Sequence, residues 1–246
     1  MIATLTALVG AALAYAAGVR RAPRWRAWRS LAFAAGLVAL GAALLAGDDG
    51  LASHMGEHVV LTLVAAPLLV LGAPHALAPH ASARVLRRLR PLAWPPLAWV
   101  LFAGAMLVVH LTGVFDYALD HAWAHGVEHA VLFWTAVLFW GPVCAAPPAP
   151  RPLGSMARIA YLLTAMAPMG VVGALLMNAS DPVYSHYPAS VQSDAGAAMW
   201  VGGGYALVFA TVIAAWAAME GEERRQRARE RYGAQGTGHR GQGGAG

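Results

Sequence analysis

Residues 53–71 read Ser-His-Met-Gly-Glu-His and then Val-Val-Leu-Thr-Leu-Val-Ala-Ala-Pro-Leu-Leu-Val-Leu, and this stretch carries the main indication of the fold. His54 and His58 are four residues apart, so a helix places them one turn apart on the same face. The apolar run behind them is typical of a segment that crosses a lipid bilayer. Because an imidazole is costly to bury in a membrane, a pair at the membrane entrance indicates a binding site. We interpret the pair as half of a metal site whose other half is His125 and His129.

The composition of the 246-residue chain is that of a membrane protein. Hydrophobic residues make up 59% and charged residues 12%, and the mean hydropathy is +0.53, which excludes an ordinary soluble domain. Apolar segments long enough to cross a bilayer lie near residues 2–19, 30–47, 54–74, 96–115, 122–144, 157–178 and 196–219. We therefore predict an all-α, polytopic seven-transmembrane helix bundle over residues 1–220. A basic and then Gly-rich cytoplasmic tail without fixed structure follows over residues 221–246.

The arginines indicate how this bundle is oriented. All 17 basic residues are arginine, and every one follows the first, third, fifth or seventh apolar segment, whereas the other loops carry aspartate. Under the positive-inside rule the N-terminus lies outside and the C-terminus in the cytoplasm of a bacterial cytoplasmic membrane. The net charge of +5 thus reflects membrane topology and does not indicate nucleic acid binding. No basic region precedes the first apolar run, so we expect that run to be a retained span.

Imidazoles gather in the outer half of the predicted bundle. His54 and His58 begin the third segment, and His110 ends the fourth. His125 and His129 lie one turn apart at the start of the fifth segment. Three helices thus bring imidazoles to a similar depth, which is the arrangement that a shared metal ion requires.

The residues around these histidines favour copper. Neutral imidazole binds copper, zinc, iron and nickel, while thioether sulfur adds a preference for Cu(I). The nearest thioethers are those of Met55 and Met199, so the pattern favours copper over zinc. Carboxylates that can orient the imidazoles or accept their protons are available at Glu57, Asp116, Glu128 and Asp194.

Several of these motifs resemble one family of membrane proteins. His54-Met55-x-x-His58, with the Ala-Pro-Leu-Leu-Val-Leu-Gly-Ala-Pro of residues 66–74, resembles the multi-span CtaG family of cytochrome c oxidase assembly factors, the type associated with caa3 oxidases. Further similarities lie at His110 with residues 116–119, at residues 125–129 leading to 138–143, at 181–184 and at 194–200. The chain departs from the family's pattern at Val59, where methionine or leucine is expected, and at Ala195, where glutamine is expected.

The resemblance implies a non-enzymatic role in maturing the copper centres of a haem-copper oxidase. The implied ligands of Cu(I) are His54, His58, His125 and His129, with Met55, His110 or Met199 as exchange ligands. Copper would pass by ligand substitution to an apo-oxidase subunit docked laterally in the bilayer. The expected partners are therefore haem-copper oxidase subunits, the lipid bilayer and a copper donor protein.

Three other functions compete with this interpretation. Facing histidines on transmembrane helices also ligate haem, so a membrane b-type haem protein in electron transfer is the main alternative. A metal permease would need polar groups through the full membrane depth, whereas here they stop in the outer half. A structural assembly scaffold would bind no metal at all. Single interfacial histidines such as His121 and His186 need no binding role in any of these cases.

Overall fold

The computed structural model describes residues 2–46, 50–77, 80–149 and 152–240, and every regular element in these ranges is helical. The helices are α1 (Ile2–Arg20), α2 (Ala27–Leu45), α3 (Leu51–Val59), α4 (Ala66–Leu71), α5 (His80–Leu89), α6 (Pro95–Leu111), α7 (Val114–Asp120), α8 (Ala122–Val143), α9 (Ser155–Thr164), α10 (Met166–Asn178), α11 (Ala189–Ala197) and α12 (Gly203–Arg240). Two π-helical turns, Val60–Ala65 and Ala198–Gly202, connect α3 to α4 and α11 to α12, and a short 3-10 turn, Pro74–Ala76, follows α4. The all-α prediction is confirmed.

Among the described residues, six helical segments are long and apolar enough to cross a membrane, and a seventh forms if α6 and α7 count as one bent span. The axes of α6 and α7 meet at 67°. Each of the seven predicted segments overlaps one of these, so the prediction of a polytopic helix bundle is confirmed. The orientation of the termini stays a prediction.

The third span is not a continuous α-helix, and Pro67 explains why. In the π-helical turn Val60–Ala65 the backbone N–H groups bond to carbonyls five residues back. The donor expected for the Thr62 carbonyl in this series is residue 67, which as a proline has no N–H. The indole N–H of Trp140 on α8 donates to that carbonyl at 2.9 Å instead. Pro67 therefore leaves open the carbonyl through which the third span is tied to the fifth, one turn beyond His58 of α3.

The sixth span is also interrupted. α9 ends at Thr164 and α10 begins at Met166, so that Pro168 falls in the first turn of α10, where a missing N–H does no harm. A Cβ atom added to Gly173 would lie 2.8 Å from the carbonyl oxygen of Gly196. α10 and α11 therefore pack backbone against backbone, as small residues allow in membrane bundles.

The last helix extends farther than the sequence predicts. Structure was expected to end near the Gly-rich tail, but α12 runs to Arg240. Exposed ion pairs at helical spacing, Glu220 with Arg224 and Glu223 with Arg227, favour this extension. Residues 241–246 lie outside the described residues.

Candidate metal centre

Two helices bring four imidazoles together at one end of the bundle, which we call the histidine end. α3 carries His54 and His58, and α8 carries His125 and His129. Within each helix the ring centroids are 4.6 Å and 4.4 Å apart, and between the helices His54 lies 5.0 Å from His125 and His58 lies 5.1 Å from His129. The two pairs that the sequence predicts to face each other are therefore in mutual contact.

A carboxylate lies among these imidazoles. Glu128 is only 3% exposed, and its Oε1 is 3.2 Å from Nε2 of His58 and 3.9 Å from Nε2 of His54. The sequence places this residue around the site as an acceptor for ligand histidines, whereas the structure places it inside. Its spacing was the available signal, because positions 125, 128 and 129 share one helical face. We call these five residues, His54, His58, His125, Glu128 and His129, the histidine cluster.

Much of the polar surface of the histidine cluster has no hydrogen bond. In the described part of the chain, the Nε2 atoms of His54, His58 and His129 and both carboxylate oxygens of Glu128 are buried without a partner of acceptable geometry. Nε2 of His58 and Oε1 of Glu128 lie 3.2 Å apart, but the two atoms are not hydrogen-bonded to each other. Buried polar atoms are nearly always paired, and each unpaired one costs about 1–3 kcal/mol. A bound cation would relieve this cost at several atoms at once.

The donor atoms form two overlapping groups of three. His54, His58 and Glu128 make one group, and His54, His125 and His129 make the other, with the donor atoms in each group no more than 4.8 Å from one another. His58 is fully buried, whereas His125 is half-buried. The two groups therefore share His54 and differ in depth and in donor type, with one oxygen and two nitrogens in the first and three nitrogens in the second.

His110 on α6 contacts the cluster, and both of its ring nitrogens face a hydrogen-bond partner within the protein. Its Nε2 lies 3.0 Å from Nδ1 of His58, and its Nδ1 lies 2.7 Å from the carbonyl oxygen of Met106. The hydroxyl of Tyr184 donates to the backbone carbonyl of His110 at 3.1 Å. In this arrangement neither nitrogen of His110 is available to a metal ion, contrary to its predicted role as an exchange ligand.

Aromatic rings cover the cluster. Phe115 on α7 contacts the ring of His54 edge-on, at a centroid distance of 5.2 Å. Tyr184 in turn packs on Phe115 at 4.4 Å. Neither residue stood out in the sequence, since a buried phenylalanine in an apolar chain has no distinguishing pattern. The bend between α6 and α7 is what brings Phe115 over the histidines.

The other candidate residues belong to neither group of donor atoms described above. Met55 and Met199 are fully buried in the apolar core, and Met199 lies in the second π-helical turn. Glu57 is half-buried on α3, and Asp194 is exposed on α11. Asp116 accepts from the backbone N–H of Ser185 at 3.1 Å, which places it in a surface contact outside the cluster. The structure therefore gives no support to Asp116 or Asp194 as partners of the ligand histidines.

The surface contact of Asp116 also includes a histidine that lies outside the cluster. His186 lies between two carboxylates of α7, with Nδ1 3.2 Å from Asp116 and Nε2 3.0 Å from Asp120. Hydrogen bonds to Asp116 and then Asp120 raise the pKa of His186 above its ordinary value. His121 stacks on Tyr117 at 4.1 Å and is exposed. Both residues have the ordinary interfacial surroundings that the sequence suggested for them.

A cavity of about 660 Å³ lies beside the cluster. It lies between α6, α7 and the start of α8, and its lining is apolar apart from Thr112, Tyr117, Trp123 and Glu128. Glu128 is the residue that the cavity and the histidine cluster have in common.

A polytopic helical membrane protein with a buried cluster of histidines and one carboxylate is the class that the fold and the site define. The sequence profile of the cytochrome c oxidase caa3 assembly factors (Caa3_CtaG) matches residues 13–220. The chain therefore belongs to this family, and the resemblance seen in its motifs is confirmed.

Its similarity to curated proteins is more distant. It is 28% identical over 205 residues to an uncharacterised protein of Mycobacterium leprae, a match covering 73% of this chain and 31% of that protein. Uncharacterised proteins of Mycobacterium bovis and Mycobacterium tuberculosis are each 28% identical over 257 residues, covering 90% of this chain and 38% of theirs. The chain thus spans about a third of the length of these relatives. No solved structure matches the chain.

Proposed function

We propose that this protein binds copper in the histidine cluster and helps to deliver it to a haem-copper oxidase during assembly. Membership of the family supports the assembly role. The observation that carries the metal is the set of buried, unpaired donor atoms on His54, His58, His129 and Glu128. On the arginine distribution, these atoms lie at the outer face of a bacterial cytoplasmic membrane. The role is that of a metallochaperone and requires no catalytic turnover.

The donor set suits a copper ion that has to be held and then released. Imidazole nitrogens are good ligands for copper, and three of them make a site that a monovalent ion can occupy. The carboxylate of Glu128 adds one negative charge, which a cation neutralises in a medium where an unpaired charge is costly. Imidazole suits copper, and we propose Cu(I) as its form, as the sequence pattern favours.

Ligand exchange can proceed through His54, the residue common to both groups of donors. A copper ion held by His54, His58 and Glu128 would move towards the half-buried His125 by exchanging ligands one at a time while staying bound to His54. Such stepwise substitution avoids releasing a bare ion into the membrane. Neither methionine is required in this scheme, since both lie in the apolar core.

The partner is a subunit of the oxidase, which we place at the side of the bundle. The apolar cavity beside Glu128 supports this position, because a membrane-embedded partner reaches the cluster there without crossing water. A copper donor protein would approach the half-buried His125 from the outer aqueous face. The lipid bilayer itself provides the remaining surroundings of both contacts.

A b-type haem protein is the main competing function, and the packing of the imidazoles does not favour it. Haem needs a flat macrocycle between or beside its axial histidines. The rings of the cluster touch one another at centroid distances of 4.4–5.6 Å, and no flat space separates them. Copper needs only the donor atoms themselves.

The test is the metal content of the full-length protein purified in detergent. Wild type is expected to bind Cu(I) and to show no Soret absorbance, and the His54→Ala/His58→Ala variant is expected to lose the copper. His121→Ala removes an exposed histidine at the start of α8 and is the matched control, expected to bind as wild type. Wild type that binds no copper, or that carries haem, would overturn the proposal. Oxidase activity in cells carrying the same variants tests the assembly role separately.

A further inference from the structure

His110 touches the histidine cluster without offering it a donor atom. We propose that His110 is a positioning residue, which holds His58 in the tautomer that presents a lone pair on Nε2 to a metal ion. Its effect on binding rests on the proposed copper site, while the tautomer itself is a property of the metal-free protein. The two statements can therefore fail separately.

The direction of each hydrogen bond follows from the carbonyl at the end of the chain of contacts. The Met106 oxygen can only accept, so Nδ1 of His110, 2.7 Å away, carries a hydrogen and donates. A neutral imidazole has a single N–H, so Nε2 of His110 is an acceptor. Nδ1 of His58, 3.0 Å from it, is then the donor. In a neutral His58 ring, Nε2 then has no hydrogen and keeps its lone pair.

A doubly protonated His110 would reverse this assignment, but its surroundings oppose the charge. The side chain is 0% exposed and lies in a membrane-spanning helix. The carboxylate of Glu128 lies 3.9 Å from Nε2 of His54 and 3.2 Å from Nε2 of His58, and in the described part of the chain no such contact joins it to His110. A cation buried in this way without a carboxylate partner costs far more than a neutral ring does. The neutral chain from Met106 to His58 is therefore the arrangement of lower energy.

A hydrogen bond at the end of α6 holds the backbone of His110 in place, and with it the series of hydrogen bonds from Met106 to His58. α6 ends at Leu111, so the backbone carbonyl of His110 has no helical partner after it. The hydroxyl of Tyr184 supplies the missing donor at 3.1 Å. Tyr184 is in turn fixed by its own backbone N–H, which bonds to the side chain of Gln192. The loop between α10 and α11 thus holds the backbone of His110, whose ring contacts His58.

The tautomer matters because of what Nε2 of His58 faces. That atom lies 3.2 Å from Oε1 of Glu128, so two electron-rich atoms are held close together. A metal ion at this point accepts electron pairs from both, whereas the opposite tautomer would direct an N–H at the same place and block coordination through Nε2. Removing a hydrogen-bonding partner of a ligand histidine typically weakens metal binding by about 10–100-fold.

The first experiment uses metal-free wild type with ¹⁵N-labelled histidine, and NMR to report which nitrogen of each ring carries hydrogen. We expect both His58 and His110 to carry hydrogen on Nδ1, the opposite of the tautomer that predominates in free imidazoles. Assignment comes from the loss of one signal set in each of His58→Ala and His110→Leu. A hydrogen on Nε2 of His58 in wild type would overturn the inference, whatever the protein does with copper.

The second experiment measures copper affinity and coordination. His110→Leu keeps the size of the side chain but cannot accept from His58, so its Kd for Cu(I) is expected to rise about 10–100-fold, with X-ray absorption showing mixed Nδ1 and Nε2 coordination. His110→Gln can both donate and accept, and is expected to restore most of the affinity. His121→Ala serves again as the control. Unchanged affinity in His110→Leu, or the loss of one nitrogen ligand from the copper spectrum, would overturn the positioning role, whereas wild type without copper would overturn only the proposed function.

Discussion

Substitution of Glu128 by glutamine separates the binding function of the histidine cluster from its effect on stability. The change keeps the shape of the side chain and removes its charge. In the metal-free protein Glu128 is buried, and neither of its oxygens has a hydrogen bond. A glutamine amide can donate to Nε2 of His58, which is 3.2 Å from the present carboxylate oxygen. This hydrogen bond would pair the amide nitrogen with Nε2 of His58. The variant should therefore unfold less readily than wild type while binding copper less tightly.

The two effects can be estimated from the geometry. Pairing a buried polar atom that was unpaired is worth about 1–3 kcal/mol, which is the expected gain in free energy of unfolding without metal. A unit charge about 4 Å from a monovalent ion contributes about 4 kcal/mol at an effective dielectric constant of about 20. Since about 1.4 kcal/mol is a factor of ten, the Kd for Cu(I) should rise by at least tenfold and by no more than about a thousandfold.

The assay combines unfolding in detergent with a competitive Cu(I) titration on the same preparation. Asp181→Asn removes an exposed carboxylate from the loop between α10 and α11 and should change neither quantity. If Glu128→Gln lowers the free energy of unfolding and leaves the Kd unchanged, the carboxylate has a structural role only. That result would refute the reasoning that connects unpaired donor atoms to metal binding.

Two further predictions concern the supports of the site. Trp140→Phe leaves the Thr62 carbonyl without its donor and should lower the free energy of unfolding by about 1–3 kcal/mol. Pro67→Ala restores a backbone N–H near that carbonyl, so Trp140→Phe should cost less in the Pro67→Ala background. Equal losses in both backgrounds would contradict this account. His186 has a pKa raised chiefly by Asp116, so its contribution to stability is full below the ordinary histidine pKa and is lost as pH rises through the raised value. Amide hydrogen exchange in the contacting loop should accelerate over that pH range in wild type, after correction for intrinsic rates. Asp116→Asn should weaken the transition and move it to lower pH, because Asp120 remains as a partner of His186.

The fold was largely predictable because lipid imposes a simple rule on sequence. Every backbone polar group in a span must be paired within the protein, so apolar runs of sufficient length become helices. The segments near residues 54–74 and 122–144 were located on this basis alone, and both match helical spans. What the sequence missed were departures from regular helix. The π-helical turn Val60–Ala65 depends on an indole from another span, and that pairing is invisible along the chain.

The histidines of the cluster were predictable from the sequence. Glu128 was predicted beside the site but not inside it, and the aromatic cover was not predicted. Two His-x-x-x-His pairs have a spacing that fixes one face of each helix, and convergence followed from matching depth. Asp194 was expected near the site because it lies close to a membrane boundary, but α11 turns it outward. The orientation of His110 depends on a contact with the backbone carbonyl of Met106. Since any residue at position 106 has such a carbonyl, the sequence does not indicate this contact.

The energetic cost of the histidine cluster is itself an argument about function. Apolar side chains of similar size at His54, His58 and Glu128 would pack into the same core without leaving buried donors or acceptors unpaired, and buried ionic groups replaced in this way often leave a protein more stable. A role confined to stability would favour such a core. Five polar side chains held within contact distance, with several donor atoms directed at one another, are stable together mainly when a cation occupies the space between them. Under the proposed function, the histidine end would be less stable without a bound cation than with one, as a site that releases its metal to a partner requires.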